Sequence, residues 1–209
     1  MDIITAAKIL NNTGKQVTVE KEKIIEVTPP FENYHYLRKK GEEWEYGLML
    51  IERQEISNEE VIKSFKNERD AAKYFVLDSL SAFYFAKDIR PFMMKNDFDI
   101  GGPKFDETKF NEAVSILGIP SNWYSLNGKT LNENRIIVEP ENEYFKVKFT
   151  GESGRTISST LPVSKKRALF FAFKKLFLLH LFNKEVYQLF KEHGEGQNVT
   201  DEDIEIFLH

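Results

Sequence analysis

The stretch from Lys165 to Phe190 constrains the chain more than any other. Leu169, Phe170, Phe171, Phe173, Leu176, Phe177, Leu178, Leu179, Leu181 and Phe182 crowd together there, followed by Val186, Tyr187, Leu189 and Phe190. Apolar residues at this density and helical spacing predict one long helix, with Ser164 as N-cap and Gly194 in the left-handed position that closes it. A membrane span needs roughly 20 residues with few charges. Here Lys174, Lys175 and His180 interrupt the run, and Lys184 and Glu185 follow. A lysine at mid-bilayer costs about 3 kcal/mol, so the span is rejected. The apolar positions occupy more than one face, and the expectation is a helix covered on two sides, in a core or at a subunit interface.

A shorter relative runs from Arg69 to Arg90. Setting Ala72 against Ala168 pairs Tyr74 with Phe170, Phe75 with Phe171, Leu77 with Phe173, Leu80 with Leu176 and Phe83 with Leu179. Upstream, Ala6 to Leu10 matches Ala113 to Leu117, and Ile24-Ile25 matches Ile136-Ile137. The shared order of short helix, strands and long helix reads as an internal duplication. The expected organisation is α+β, with a first unit over residues 1–100 and a second over 101–209. Each would be a short helix, an antiparallel sheet and a long covering helix.

Local signals fill in the strands. Gln16 to Glu20 and Ile24 to Thr28 read as a hairpin, as do Tyr34 to Lys39 and Glu43 to Arg53 around Lys40-Gly41. In the last strand Trp44, Tyr46, Leu48 and Leu50 fall on one face, with Glu43 and Glu45 on the other. Ser57 with Glu60 predicts a capped helical turn, and Asn67 with Asp70 caps the first long helix, which Pro91 ends. In the second half Asp106 caps a short helix, and Asn127-Gly128 predicts a hairpin between Asn122–Leu126 and Lys129 onward. Strands at Arg135–Glu139, Glu143–Thr150 and Arg155–Leu161 come next. Thr200 caps a final acidic helix.

Chemistry is harder to find. There are no cysteines, hence no disulfide framework, thiolate nucleophile or Cys-ligated metal. The four histidines, His35, His180, His193 and His209, are scattered, and His180 is expected as a hydrogen-bonded core residue. Asp97 and Asp99 beside Gly101-Gly102 suggest a cation loop, but the twelfth position of an EF-hand, Thr108 here, cannot supply the bidentate acid. No phosphate loop, nucleophile elbow or dinucleotide fingerprint is present. No cofactor is expected. A net charge of -4 argues against nucleic acid and for a basic protein partner. Met1-Asp2-Ile3-Ile4-Thr5 lacks the positive start of a signal peptide, so a cytoplasmic protein is expected. The candidate partner-binding residues are Glu42, Glu43 and Glu45, which alternate with aromatics on one strand, together with Trp123 and Tyr124.

From Trp44 through Phe92 the order is an aromatic strand with Tyr46 and Leu48, then Ile51-Glu52-Arg53 and Ile56-Ser57. Ser64-Phe65-Lys66-Asn67-Glu68 follows, and then the helix with Ala71-Ala72-Lys73-Tyr74-Phe75. This order resembles the small α+β immunity proteins of bacterial polymorphic-toxin systems. The resemblance implies stoichiometric binding and occlusion of a cognate toxin, with no catalytic residues. A structural or regulatory interaction module that self-associates, as a homodimer, is the alternative, and a hydrolase with a carboxylate pair is the third reading.

Overall fold

The computed structural model describes residues 1–51, 58–95, 97–129 and 135–209. The first helix, α1 (Ile3–Thr13), starts where the Asp2 carboxylate accepts the Thr5 N–H at 2.7 Å and stops at Gly14, with φ 95°. Five strands follow: β1 (Val17–Glu20), β2 (Lys23–Glu26), β3 (Tyr34–Lys40), β4 (Glu43–Leu50) and β5 (Asn58–Phe65). They pair in chain order, each antiparallel to the next. Helix α2 (Glu68–Tyr84) opens with Asn67 accepting the Asp70 N–H at 2.9 Å, as its sequence predicts. Its buried residues include Phe75, which meets Tyr46 of β4 edge-on at 6.0 Å.

Two expectations fail in this region. Glu60 lies on a strand, not in a capped helical turn; the cap itself, Ser57, and the expected strand end at Arg53 fall outside the described residues. Pro91 does not end the helix. Residues Phe85–Ile89 form a π-helical turn, and α3 (Arg90–Lys95) carries on beyond it. The Arg90 N–H reaches back to the Phe85 carbonyl, so the ladder has already left α register where the N–H-less proline enters.

The second sheet contains β6 (Tyr124–Ser125), β7 (Ile136–Glu141), β8 (Tyr144–Thr150) and β9 (Thr156–Ser159). Helix α4 (Glu107–Ile116) precedes it, capped by Asp106. Helix α5 (Lys165–Leu181) follows it, continued through a π turn at Phe182–Val186 into α6 (Tyr187–Glu192). Helix α7 (Asp201–Phe207) opens on a full capping box between Thr200 and Asp203. Ser164 is the N-cap of α5 by position but makes no side-chain capping bond. The sheet is mixed and not wholly antiparallel as expected. Tyr124 and Ser125 pair in parallel with Ile136 and Ile137, and residues 130–134, where the other arm of the expected hairpin falls, lie outside the described residues. Phe173 anchors the core beneath, with Phe92, Phe105, Phe110 and Phe177 around it at 6.0 to 6.2 Å.

The chain forms two compact units. One comprises Met1–Phe83 with Leu189–Asn198, the other Tyr84–Gln188 with Val199–His209. The boundary expected after residue 100 falls within the second. Local architecture nevertheless repeats closely. Gly14 and Gly118 cap their helices in the same way: each donates to the residue three before it (3.1 and 3.0 Å), and the next N–H reaches one residue further back (3.2 Å in both). The β3–β4 and β7–β8 hairpins close on Lys40↔Glu43 and Glu141↔Tyr144, and each turns on a left-handed residue, Gly41 (φ 64°) or Asn142 (φ 56°). Each long helix is built of 17 α, 5 π and 6 α residues. In this register Ala71, not Ala72, matches Ala168, and Phe85-Ala86-Lys87-Asp88-Ile89 matches Phe182-Asn183-Lys184-Glu185-Val186. The short helices match through Gly14 and Gly118, not through Ala6 and Ala113. The partner of Ile136-Ile137 is His35-Tyr36 of β3, not Ile24-Ile25.

Candidate functional site

One edge of the first sheet is formed by β5, the neighbour of β4. Strand β4 is fixed by Trp44, Tyr46 and Met49, all buried. A bulge between Tyr46 and Gly47 switches the buried face, so Met49 points inward and the expected inward Leu48 does not. Glycine is required at the switch, because a Cβ on residue 47 would lie 2.6 Å from both the Tyr36 hydroxyl and the Glu60 carbonyl. Strand β5 pairs with β4 on one side, and among the described residues no strand pairs with its other side. Asn58 to Ser64 are all exposed, with Val61 at 45% and Ile62 at 48%. Phe65 turns the strand end back against Tyr74, with ring centroids 5.3 Å apart.

Charges beside this edge are largely neutralised within the sheet. Arg38 binds Glu45 at 3.1 Å and Glu59 at 2.7 Å, and Lys40 also holds Glu45 at 3.1 Å. Desolvation acts to raise the Glu45 pKa, but hydrogen bonds from Lys40 and Arg38 bring it below the usual carboxylate value. Of the three acidic candidates, Glu45 is therefore engaged internally. Glu42 and Glu43 stand exposed at the hairpin tip.

A network invisible in the sequence locks β2, β3 and α2 together. Glu26 is 6% exposed and receives the Lys15 ammonium at 2.9 Å, the His35 N–H at 3.1 Å and the Ser79 hydroxyl at 3.2 Å. The His35 ring Nδ1 lies 3.2 Å away. Burial pushes the Glu26 pKa up, yet the His35 and Lys15 interactions prevail and hold it at about 2. Alongside, the His35 ring stacks on Tyr46 at 5.4 Å, and the Tyr46 hydroxyl donates to Asp78 at 2.5 Å. Ser79 and His35 bond opposite oxygens of the carboxylate, and so tie α2 and β3 to β2.

Trp123 and Tyr124 belong to the second unit and the acidic hairpin to the first. Both are half-buried. Trp123 lies 6.5 Å from the His180 ring, which is half-buried against it. Tyr124 packs on Phe110 at 5.3 Å, and its hydroxyl donates to Asn111 at 2.7 Å; burial raises its pKa. Asp99 takes the Lys104 N–H at 2.7 Å and serves its own turn. Among the described residues no group of three or more His, Asp or Glu side chains is placed to hold a metal ion, and no helix is long and apolar enough to cross a membrane. Compared with protein-family models, curated proteins and solved structures, the chain finds no match.

Proposed function

We propose that the protein is an immunity protein that binds a basic protein toxin in the cytoplasm and occludes it, with strand β5 as the docking edge. The observation that carries this reading is an eight-residue edge strand with Val61 and Ile62 half-exposed and the exposed Glu60 beside them. An open edge offers backbone hydrogen bonds to an added strand, exposed side chains select it, and carboxylates favour a basic one. Glu42 and Glu43 extend the acidic rim.

The experiment is co-expression with the product of the adjacent gene. The expected result is a 1:1 complex that survives gel filtration and protects the host. Replacing Val61 and Ile62 together by Lys should weaken it by about a hundredfold or more while leaving the free protein folded, because both side chains are exposed at an edge. A neighbour that neither binds nor harms the host would overturn the reading.

A second reading has its own support. In antiparallel pairing of β5 with another copy of itself, centred between Val61 and Ile62, Glu60 stands opposite Lys63, an attractive cross-strand pair. Light scattering that gives a stable homodimer, abolished by the same double substitution, would favour self-association.

A further inference from the structure

The second unit contains a cavity of about 470 Å³ that plays no part in the edge-strand reading. Thr160, just past the end of β9, lines one side, residues of α5 and α7 the others, and Phe85 of the first π turn completes it. Phe85, Phe170, Phe171 and Leu208 make the walls largely apolar. The volume lies in the range of small-molecule sites, about 300–1,000 Å³.

The first unit shows that the repeated architecture does not require this space. In the register set by Ala71 and Ala168, Phe171 of α5 matches Tyr74 of α2. In the register of the hairpins, Val147 of β8 matches Tyr46 of β4. Lys63 stands opposite Tyr46, and Thr160 holds the same place beside Val147, whose N–H donates to the Thr160 hydroxyl at 3.0 Å. In the first unit the Lys63 ammonium lies over the Tyr74 ring, 4.4 Å from its centroid. Thr160 is too short to cover Phe171 in that way. Arg167 approaches the Phe171 ring to 5.8 Å, yet the ring still lines the cavity.

The charged groups along the cavity are answered from within the protein. The Lys174 ammonium donates to the backbone oxygen of His209. Lys175 pairs with Glu205 Oε1 at 3.2 Å, and the His209 ring approaches the same oxygen at 3.3 Å. Glu205 Oε2 is buried, with no surface open to a ligand donor. A bound anion would face Glu205 and compete with the His209 oxygen for Lys174. A bound cation would face both lysines. Either would also give up its hydration for apolar walls.

We propose that this cavity binds an uncharged ligand with an aromatic body, lying against Phe171 in the place that the Lys63 side chain takes against Tyr74. Phe85 and Phe170 supply further ring faces and edges, which suit offset or edge-on contact with an aromatic guest. The apolar walls supply the burial, and the internally paired charges select against ions.

The test is fluorescence titration of the full chain with N-phenyl-1-naphthylamine, an uncharged aromatic that brightens in apolar surroundings. The comparator is 8-anilino-1-naphthalenesulfonate, which has the same ring skeleton and one negative charge. The uncharged probe is expected to bind about tenfold or more tightly than the sulfonate. Thr160→Met supplies a side chain with the reach of Lys63 but without its charge, and should weaken binding of the uncharged probe by about tenfold or more. Circular dichroism checks that the variant folds. Equal or tighter binding of the sulfonate, no binding of the uncharged probe, or undiminished binding by folded Thr160→Met would overturn the proposal. A second measurement needs no variant. In amide NMR spectra of the wild-type chain, the uncharged probe should shift Thr160, Phe171 and Leu208 and leave Val61 and Ile62 unmoved. Shifts confined to other parts of the chain would equally overturn it. Neither measurement involves a toxin, so the outcome is separable from that of the edge-strand reading.

Discussion

Glu26 shows what a single residue does here and why it escapes a reading of the chain. Nothing in the alternation along β2 marks it, since Ile24 and Glu26 are both buried while Ile25 between them is half-buried. Its partners Lys15, His35 and Ser79 lie on three other segments. Only the antiparallel pairing of β2 with β3 and the docking of α2 bring them together. A pKa held near 2, against 4.5 when unperturbed, makes this carboxylate a source of stability that is fully present above about pH 4.5. That contribution should disappear as the pH falls through 2. The shift corresponds to about 3 kcal/mol. Urea titrations from pH 6 down to pH 2 should show wild-type stability falling by about that much, on top of any general acid effect, and Glu26→Gln should be less stable at pH 6 and flatter below it. Phe173 is the opposite case, legible as core from its spacing alone. With aromatic neighbours around it, Phe173→Ala should cost about 3–5 kcal/mol in the same assay.

Among elements, legibility follows burial. The β3–β4 and β7–β8 hairpins can be read because one face of each is buried and their turns carry Gly41 or Asn142. Strand β5 cannot: with nearly every residue exposed, Asn58-Glu59-Glu60-Val61-Ile62-Lys63 has no apolar alternation, and its partner strand alone makes it extended. The π turns are equally hidden, because Phe85-Ala86-Lys87-Asp88-Ile89 satisfies α periodicity as well as π. Pro91 is a misleading signal. In an α ladder it would be disruptive, but after the π turn the register has already changed. Pro91→Ala should therefore alter stability by less than about 1 kcal/mol, whereas Ala82→Pro, at an exposed position within α2, should cost about 3 kcal/mol. Denaturant unfolding of the two variants checks the contrast. The acidic candidates are only partly legible. Their strand and side are visible, but the engagement of Glu45 by Arg38 and Lys40 depends on cross-strand register.

For the molecule as a whole, the repeated order of elements can be seen in the sequence, although its registers shift once the caps, hairpins and π turns are matched. The division into units cannot, because it depends on which segments pack together and not on where the copies begin. Residues Leu189–Asn198 belong with the first unit, where the Met1 ammonium meets Glu195 at 2.8 Å and Lys73 donates to the Asn198 carbonyl at 2.9 Å. Phe190 in the same segment is fully buried. A fragment of residues 1–100 lacks that segment. It should show no cooperative melting alone and recover it when mixed with residues 101–209, as read by circular dichroism. The two long helices thus trade their C-terminal ends: Tyr84–Lys95 is counted with the second unit and Leu189–Glu192 with the first. A protein carrying a single copy of this pattern would have nobody to trade with inside its own chain. It would have to borrow the missing helix end from a sister molecule, so single-copy kin of this protein should be found as intertwined pairs.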